Sequence, residues 1–169
     1  MAIYAISDLH LSFNDESKSM EYFGDDWKDY VKRIETNWKN IVKDEDTVLI
    51  AGDISWASNL EEAKKDFEFI NSLPGKKIII KGNHEYWWKS ISSVRLILPK
   101  SIKAIQNDAI KIGNNIFCGS RGWVVPEKGK ELEEDDLKIY KREVERMKLT
   151  LMSAKTLREE GDKIFLMIH

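Results

Sequence analysis

One feature limits what this sequence can fold into more than any other: four short runs of apolar, largely β-branched residues, each breaking off at a polar group. Ala2 to Ser7 stops at Asp8-Leu9-His10, and Thr47 to Ala51 at Gly52-Asp53. Lys77 to Ile80 leads into Gly82-Asn83-His84-Glu85, and Ile164 to Ile168 ends at His169. Runs of this kind read as buried strands. Segments of helical period lie between them, and that alternation predicts βαβ units around a largely parallel sheet.

The intervening segments carry their own signals. Trp27, Tyr30, Val31, Ile34, Trp38, Ile41 and Val42 share a helical face after the acidic pair Asp25-Asp26. Leu60, Ala63, Phe67 and Ile70 mark a second helix, with Asn59 and Glu62 spaced as a capping box and Pro74-Gly75 as its stop. A shorter helix is expected within Trp88 to Leu98. Ala109 to Ile112 and Ile116 to Gly119 around Gly113-Asn114-Asn115 predict a hairpin, with Ile102 to Gln106 beside it, at the start of a second sheet. Leu137 to Leu157 has the apolar spacing of a long amphipathic helix that stops at Gly161.

At 169 residues the chain is expected to be one domain, 1–169. The balance of 27 basic against 29 acidic residues gives no field that would draw it to nucleic acid or an anionic membrane. One cysteine, Cys118, permits no internal disulfide, and the first residues lack a secretory pattern, so a cytoplasmic location is expected.

Ligands of open α/β sheets collect beyond the carboxyl ends of parallel strands, so the four polar strand ends are expected to share one cleft. Asp8 and His10 alternate across Leu9, and in an extended segment their side chains would leave on the same side to grip one ion. Asp53 has two oxygens and could bridge two ions, while Asn83 and His169 offer an amide oxygen and an imidazole nitrogen to the second. This donor set suits Mn²⁺, Fe²⁺ or Zn²⁺. A two-ion site would activate a bridging hydroxide as nucleophile and steady the phosphate during in-line attack. His84, next to Asn83, is expected to act as general acid, with Glu85 orienting it and raising its pKa. All three histidines of the chain, His10, His84 and His169, stand at predicted strand ends.

Asp8-Leu9-His10, Gly52-Asp53, Gly82-Asn83-His84-Glu85 and His169, in that order, resemble the calcineurin-like metallophosphoesterase superfamily. Gly52-Asp53-Ile54-Ser55-Trp56, Glu85-Tyr86-Trp87-Trp88, Arg121-Gly122-Trp123 and Ile139-Tyr140-Lys141-Arg142-Glu143 further resemble a group of bacterial predicted phosphohydrolases. The resemblance implies an α/β fold: a metallophosphoesterase-type β-sandwich of two mixed sheets flanked by helices. It places Asp8, His10 and Asp53 at one metal, Asp53, Asn83 and His169 at the other, and matches His84 to the family's acid. Family members continue to a Gly-His-x-His motif beyond the equivalent of His169. The chain is accordingly expected to be the N-terminal, incomplete part of such a domain.

The expected activity is hydrolysis of phosphate mono- or diesters of a small phosphorylated compound, with no nucleic-acid partner because no basic groove with interleaved aromatics stands out. The alternative is a weak or inactive binding scaffold of the same fold. His84 speaks against the scaffold, since holding metal does not require it. Arg121, in a Gly- and Trp-containing loop, is a candidate for a phosphate oxygen pair. Trp56 is expected in the core.

Overall fold

The first three apolar runs form strands, and they pair side by side in parallel. The computed structural model describes residues 1–169, in two compact units, Met1–Ala104 and Ile105–His169. In the first unit the order is β1 (Ile3–Ile6), α1 (Tyr30–Ile41), β2 (Thr47–Ile50), α2 (Leu60–Ser72), β3 (Lys76–Ile79), α3 (Ile91–Ile97) and β4 (Ile102–Ala104). The four strands make one parallel sheet in the order β1-β2-β3-β4. β2 is buried along its whole length, which is why it reads as an unbroken apolar run.

The helices follow the sequence signals closely. Asn59 Oδ1 accepts the Glu62 N–H at 3.1 Å, while the Glu62 carboxylate accepts the Ser58 N–H at 2.8 Å, so the expected cap opens α2. Ala63, Phe67 and Ile70 on α2 are buried in the unit's core beside Val48, Ile50 and Ile79 of the sheet. Each large side chain buried there contributes roughly 1.5–3 kcal/mol relative to exposure. Trp87 and Trp88 are the bulkiest fully buried residues. The acidic pair Asp25-Asp26 begins a 3₁₀ turn rather than α1 itself, which starts five residues later at Tyr30.

The second unit holds β5 (Asp108–Ile112), β6 (Asn115–Gly119), α4 (Glu134–Leu157) and β7 (Lys163–Met167). β5 and β6 are the expected hairpin, and β7 adds to β6 in parallel, giving a mixed three-stranded sheet. α4 packs on it through Ala154 and Thr150, whose hydroxyl donates to the Asp108 carbonyl at 2.6 Å. The chain is thus a mixed α/β protein with two sheets, three α-helices in the first unit and one in the second.

Two strand placements differ from expectation. Ile102–Ala104 joins the first sheet beside β3 instead of flanking the hairpin, because its alternating buried residues Ile102 and Ala104 complete that core. β7 belongs to the second sheet, not to the sheet of the other three polar-ended strands. No helix is long and apolar enough to cross a membrane.

Candidate metal centre

The pairing of β1 with β2 does not stop where the strands stop, and that continuation builds the site. Ile6 lies opposite Ile50 in the register. Beyond it, the Asp8 N–H donates to the Gly52 carbonyl at 3.1 Å, the His10 N–H to Asp53 at 3.0 Å and the Leu11 N–H to Ile54 at 2.9 Å. The two loops therefore run side by side, with Leu9 and Leu11 buried beneath them. Asp8, His10 and Asp53 are brought together so that a donor atom of each lies within 4.8 Å of the others.

Their backbone is unusual. Asp8, His10 and Asp53 have φ of 57°, 44° and 51°, in the left-handed region where Asp, Asn and His are the enriched non-glycine residues. The extended Asp8-Leu9-His10 segment expected from alternation is not what forms. Left-handed turns at both residues direct the side chains to one place, at a cost on the order of 1–3 kcal/mol per strained residue. Three such residues at one candidate site is the pattern of local strain held in place by its surroundings.

The loop after β3 closes the third side. The His84 N–H donates to Asp53 Oδ1 at 2.9 Å, and His84 Nε2 lies 3.9 Å from Asp53 Oδ2. Gly82 is needed for space: a Cβ there would fall against the Asp53 carboxylate and backbone nitrogen, and 2.8 Å from Glu85 Oε2. Asn83, exposed, sits between these two contacts in the same loop. His169 follows β7 in the second unit, where its N–H donates to the Arg121 carbonyl at 3.2 Å. In that unit the Arg121 guanidinium lies over the Trp123 ring, 4.3 Å from its centroid.

Glu85 does something other than orient His84. Its carboxylate is buried and accepts the N–H groups of Asp53 at 3.1 Å, Gly82 at 2.5 Å and Ile54. One side chain thus binds the β2 loop to the β3 loop, and its oxygens are taken up by backbone. Burial pushes its pKa up to about 7, the Asp53 charge adds to the rise, and the three N–H groups oppose it. Glu85→Gln should lower the melting temperature by about 5–10 °C in thermal denaturation, since an amide has one acceptor oxygen for three donors and each buried group left unmade costs about 1–3 kcal/mol. A melting point within 1–2 °C of the parent would sink this bracing role.

Asp66 and Tyr30 contribute to the site although the strand-end motifs do not mark them, and Trp56 contributes although it is expected in the core. Asp66, buried on α2, accepts the Phe13 N–H at 3.0 Å and the Ser55 hydroxyl, and so steadies both loops. Burial raises its pKa. Its signal was there: position 66 falls on the apolar face marked by Ala63, Phe67 and Ile70, where a carboxylate needs partners. Tyr30 donates its hydroxyl to the His10 carbonyl at 2.8 Å. Trp56 is half-buried rather than a core residue. Its ring stacks on His10 at 4.7 Å and 15°, and meets His84 at 4.9 Å and 55°.

The donors suit a divalent cation. His10 Nε2 stands 3.6 Å from Asp8 Oδ1 and 3.8 Å from Asp53 Oδ2. Two donors on one ion, each at about 2.0–2.2 Å, can be at most about 4.4 Å apart, so both pairs are already within reach of a shared ion.

The chain is similar to a curated protein and to a solved structure, and it matches a family model. An uncharacterized protein of Methanocaldococcus jannaschii, MJ1445, is 34% identical over 83 residues, which make up 49% of this chain and 46% of that protein. The match thus spans about half the length of this curated relative. A crystal structure of the protein of unknown function AQ665 from Aquifex aeolicus shares 24% identity with a TM-score of 0.47, covering 84% of this chain and 72% of that one. The family model for calcineurin-like phosphoesterases matches residues 1–169. With that match over its whole length, the chain belongs to the calcineurin-like phosphoesterase family.

Proposed function

We propose that the protein hydrolyses phosphate mono- or diesters of a small compound with the help of two divalent cations. Asp8, His10 and Asp53 would hold one ion, and Asp53 and Asn83 would offer donors to a second. The observation that carries this reading is the convergence of the Asp8, His10 and Asp53 donor atoms within 4.8 Å, in a chain of a phosphoesterase family.

Bound divalent ions supply an acidified water as nucleophile and neutralise charge developing on the phosphate. The remaining work falls to the chain. Asp53 faces its Oδ2 toward both His10 and His84, so one carboxylate ties the cation donors to the acid. His84, with 38% of its side chain exposed, can be reached by a substrate, and its Nε2 gives its proton to the departing oxygen. The near-balance of charge on the whole chain favours a small substrate over a polyanion.

The test is hydrolysis of p-nitrophenyl phosphate and bis-p-nitrophenyl phosphate by the complete protein with added Mn²⁺, Fe²⁺ or Zn²⁺, alongside elemental analysis. Turnover that needs the metal and about two bound ions per chain is the expected result. Metal uptake with no hydrolysis of either ester would favour a binding scaffold. Neither uptake nor hydrolysis would overturn the reading.

A further inference from the structure

Trp56 stands outside the buried core cluster of its unit, and its ring meets two imidazoles of the site. It lies nearly parallel to His10, with centroids 4.7 Å apart and planes 15° from each other, and is inclined to His84 at 4.9 Å and 55°. Trp56 is itself held in place. Its backbone N–H donates to the Leu11 carbonyl at 2.9 Å, its carbonyl accepts from Lys18 Nζ at 3.3 Å, and its Nε1–H donates to Met20 Sδ at 3.4 Å. Lys18 also donates to the Ser58 hydroxyl at 3.1 Å. The 3₁₀ turns that carry Lys18 and Met20 thus fasten the residue whose ring covers His10.

We propose that Trp56 is a positioning residue for the metal centre: its indole fixes the plane of the His10 imidazole, so that Nε2 stays turned to Asp8 and Asp53. This rests on the reading of His10 as a metal donor. The torsion that sets a histidine's ring plane is broad, with no sharp rotamer of its own, so covalent geometry does not choose the direction of Nε2. Packing has to choose it. His10 stands in a loop at a left-handed φ, and Tyr30 holds it by a bond to its main-chain carbonyl. The Asp8 side chain beside it is 48% exposed and gives the ring little to rest on. A flat indole at stacking distance does, because turning the imidazole out of the parallel plane would drive its edge into the indole. In the observed plane Nε2 is 3.6 Å from Asp8 Oδ1 and 3.8 Å from Asp53 Oδ2, and a turned ring would leave those carboxylates without a nitrogen donor beside them. Residues that orient a metal donor in this way contribute to affinity without touching the ion.

The test compares Mn²⁺ binding by the complete protein, by Trp56→Leu, which keeps apolar bulk without a flat face, and by Trp56→Phe, which restores one. In titration calorimetry Trp56→Leu should bind Mn²⁺ about tenfold more weakly than the parent, the low end of what loss of an orienting residue costs. Trp56→Phe should bind within about threefold of the parent, since a phenyl ring can still stack. A second readout needs no metal. The indole ring current displaces the His10 ring-proton resonances, which are assigned among the chain's three histidines. These should return to ordinary positions in Trp56→Leu and stay displaced in Trp56→Phe. Equal Mn²⁺ affinity in Trp56→Leu and the parent, equal weakening in the two variants, or His10 resonances that do not move would overturn the proposal. If Trp56→Leu does not fold, the parent and Trp56→Phe decide it: undisplaced His10 resonances in the parent, or a tenfold loss in Trp56→Phe, would be the overturning result. A parent that takes up no Mn²⁺ would overturn the proposed function and this inference with it, whereas a parent and Trp56→Leu that bind it equally would overturn this inference alone.

Discussion

Asp53→Asn should yield a folded protein that no longer takes up metal and has lost at least about a thousandfold in phosphoester hydrolysis. Asp53 is 3% exposed, and Oδ1 holds the His84 N–H while Oδ2 faces His10 and His84. Asparagine can keep the first contact. At the second it replaces an anionic oxygen by an N–H₂ group, which repels a cation. Metal-supplied stabilisation of a phosphoryl transition state amounts to several kcal/mol, and each 1.36 kcal/mol is about a factor of ten. The same substitution removes a charge that stands beside the buried Glu85 and helps raise its pKa. The metal-free variant should therefore melt no lower than the metal-free parent. Mn²⁺ should raise the parent's melting temperature, as any ligand of the native state does, and leave that of the variant unchanged. Calorimetry with elemental analysis checks both, and a variant still stabilised by Mn²⁺ would remove Asp53 from the metal site.

His84→Ala separates metal holding from proton transfer. Its backbone N–H bond to Asp53 survives the substitution, because the main chain makes it. Metal content should stay at the parent level. Hydrolysis of alkyl esters should fall by about 10²–10⁴-fold, the usual contribution of a positioned acid. The loss on p-nitrophenyl esters should be much smaller, since nitrophenolate departs without a proton. Rate constants over a series of leaving groups check this. Equal losses across the series, or loss of the metal, would assign His84 to another task.

The elements of the fold were legible because their signals are local. The Asn59 and Glu62 cap of α2, the hairpin around Gly113, and the buried run of β2 each depend on residues a few positions apart. The site was legible in part. Asp8, His10 and Asp53 stand at predicted strand ends, and they meet. Their left-handed φ values were not foreseen, because that conformation comes from the loop-to-loop bonds between residues 8–11 and 52–54. Glu85 illustrates the limit of adjacency. Next to His84 in sequence, it turns its carboxylate to N–H groups of residues 53 and 54 across the sheet.

By itself the sequence determined which residues stand at the carboxyl ends of which strands, since periodicity, capping and turn chemistry act over a single element. Only the tertiary structure decided that β4 joins the first sheet and β7 the second. It also decided that Trp56 leaves the core for the two histidines, and that Tyr86, not Glu85, faces the His84 ring. Those outcomes depend on which buried polar groups find partners far along the chain, and short-range patterns carry no record of such pairings.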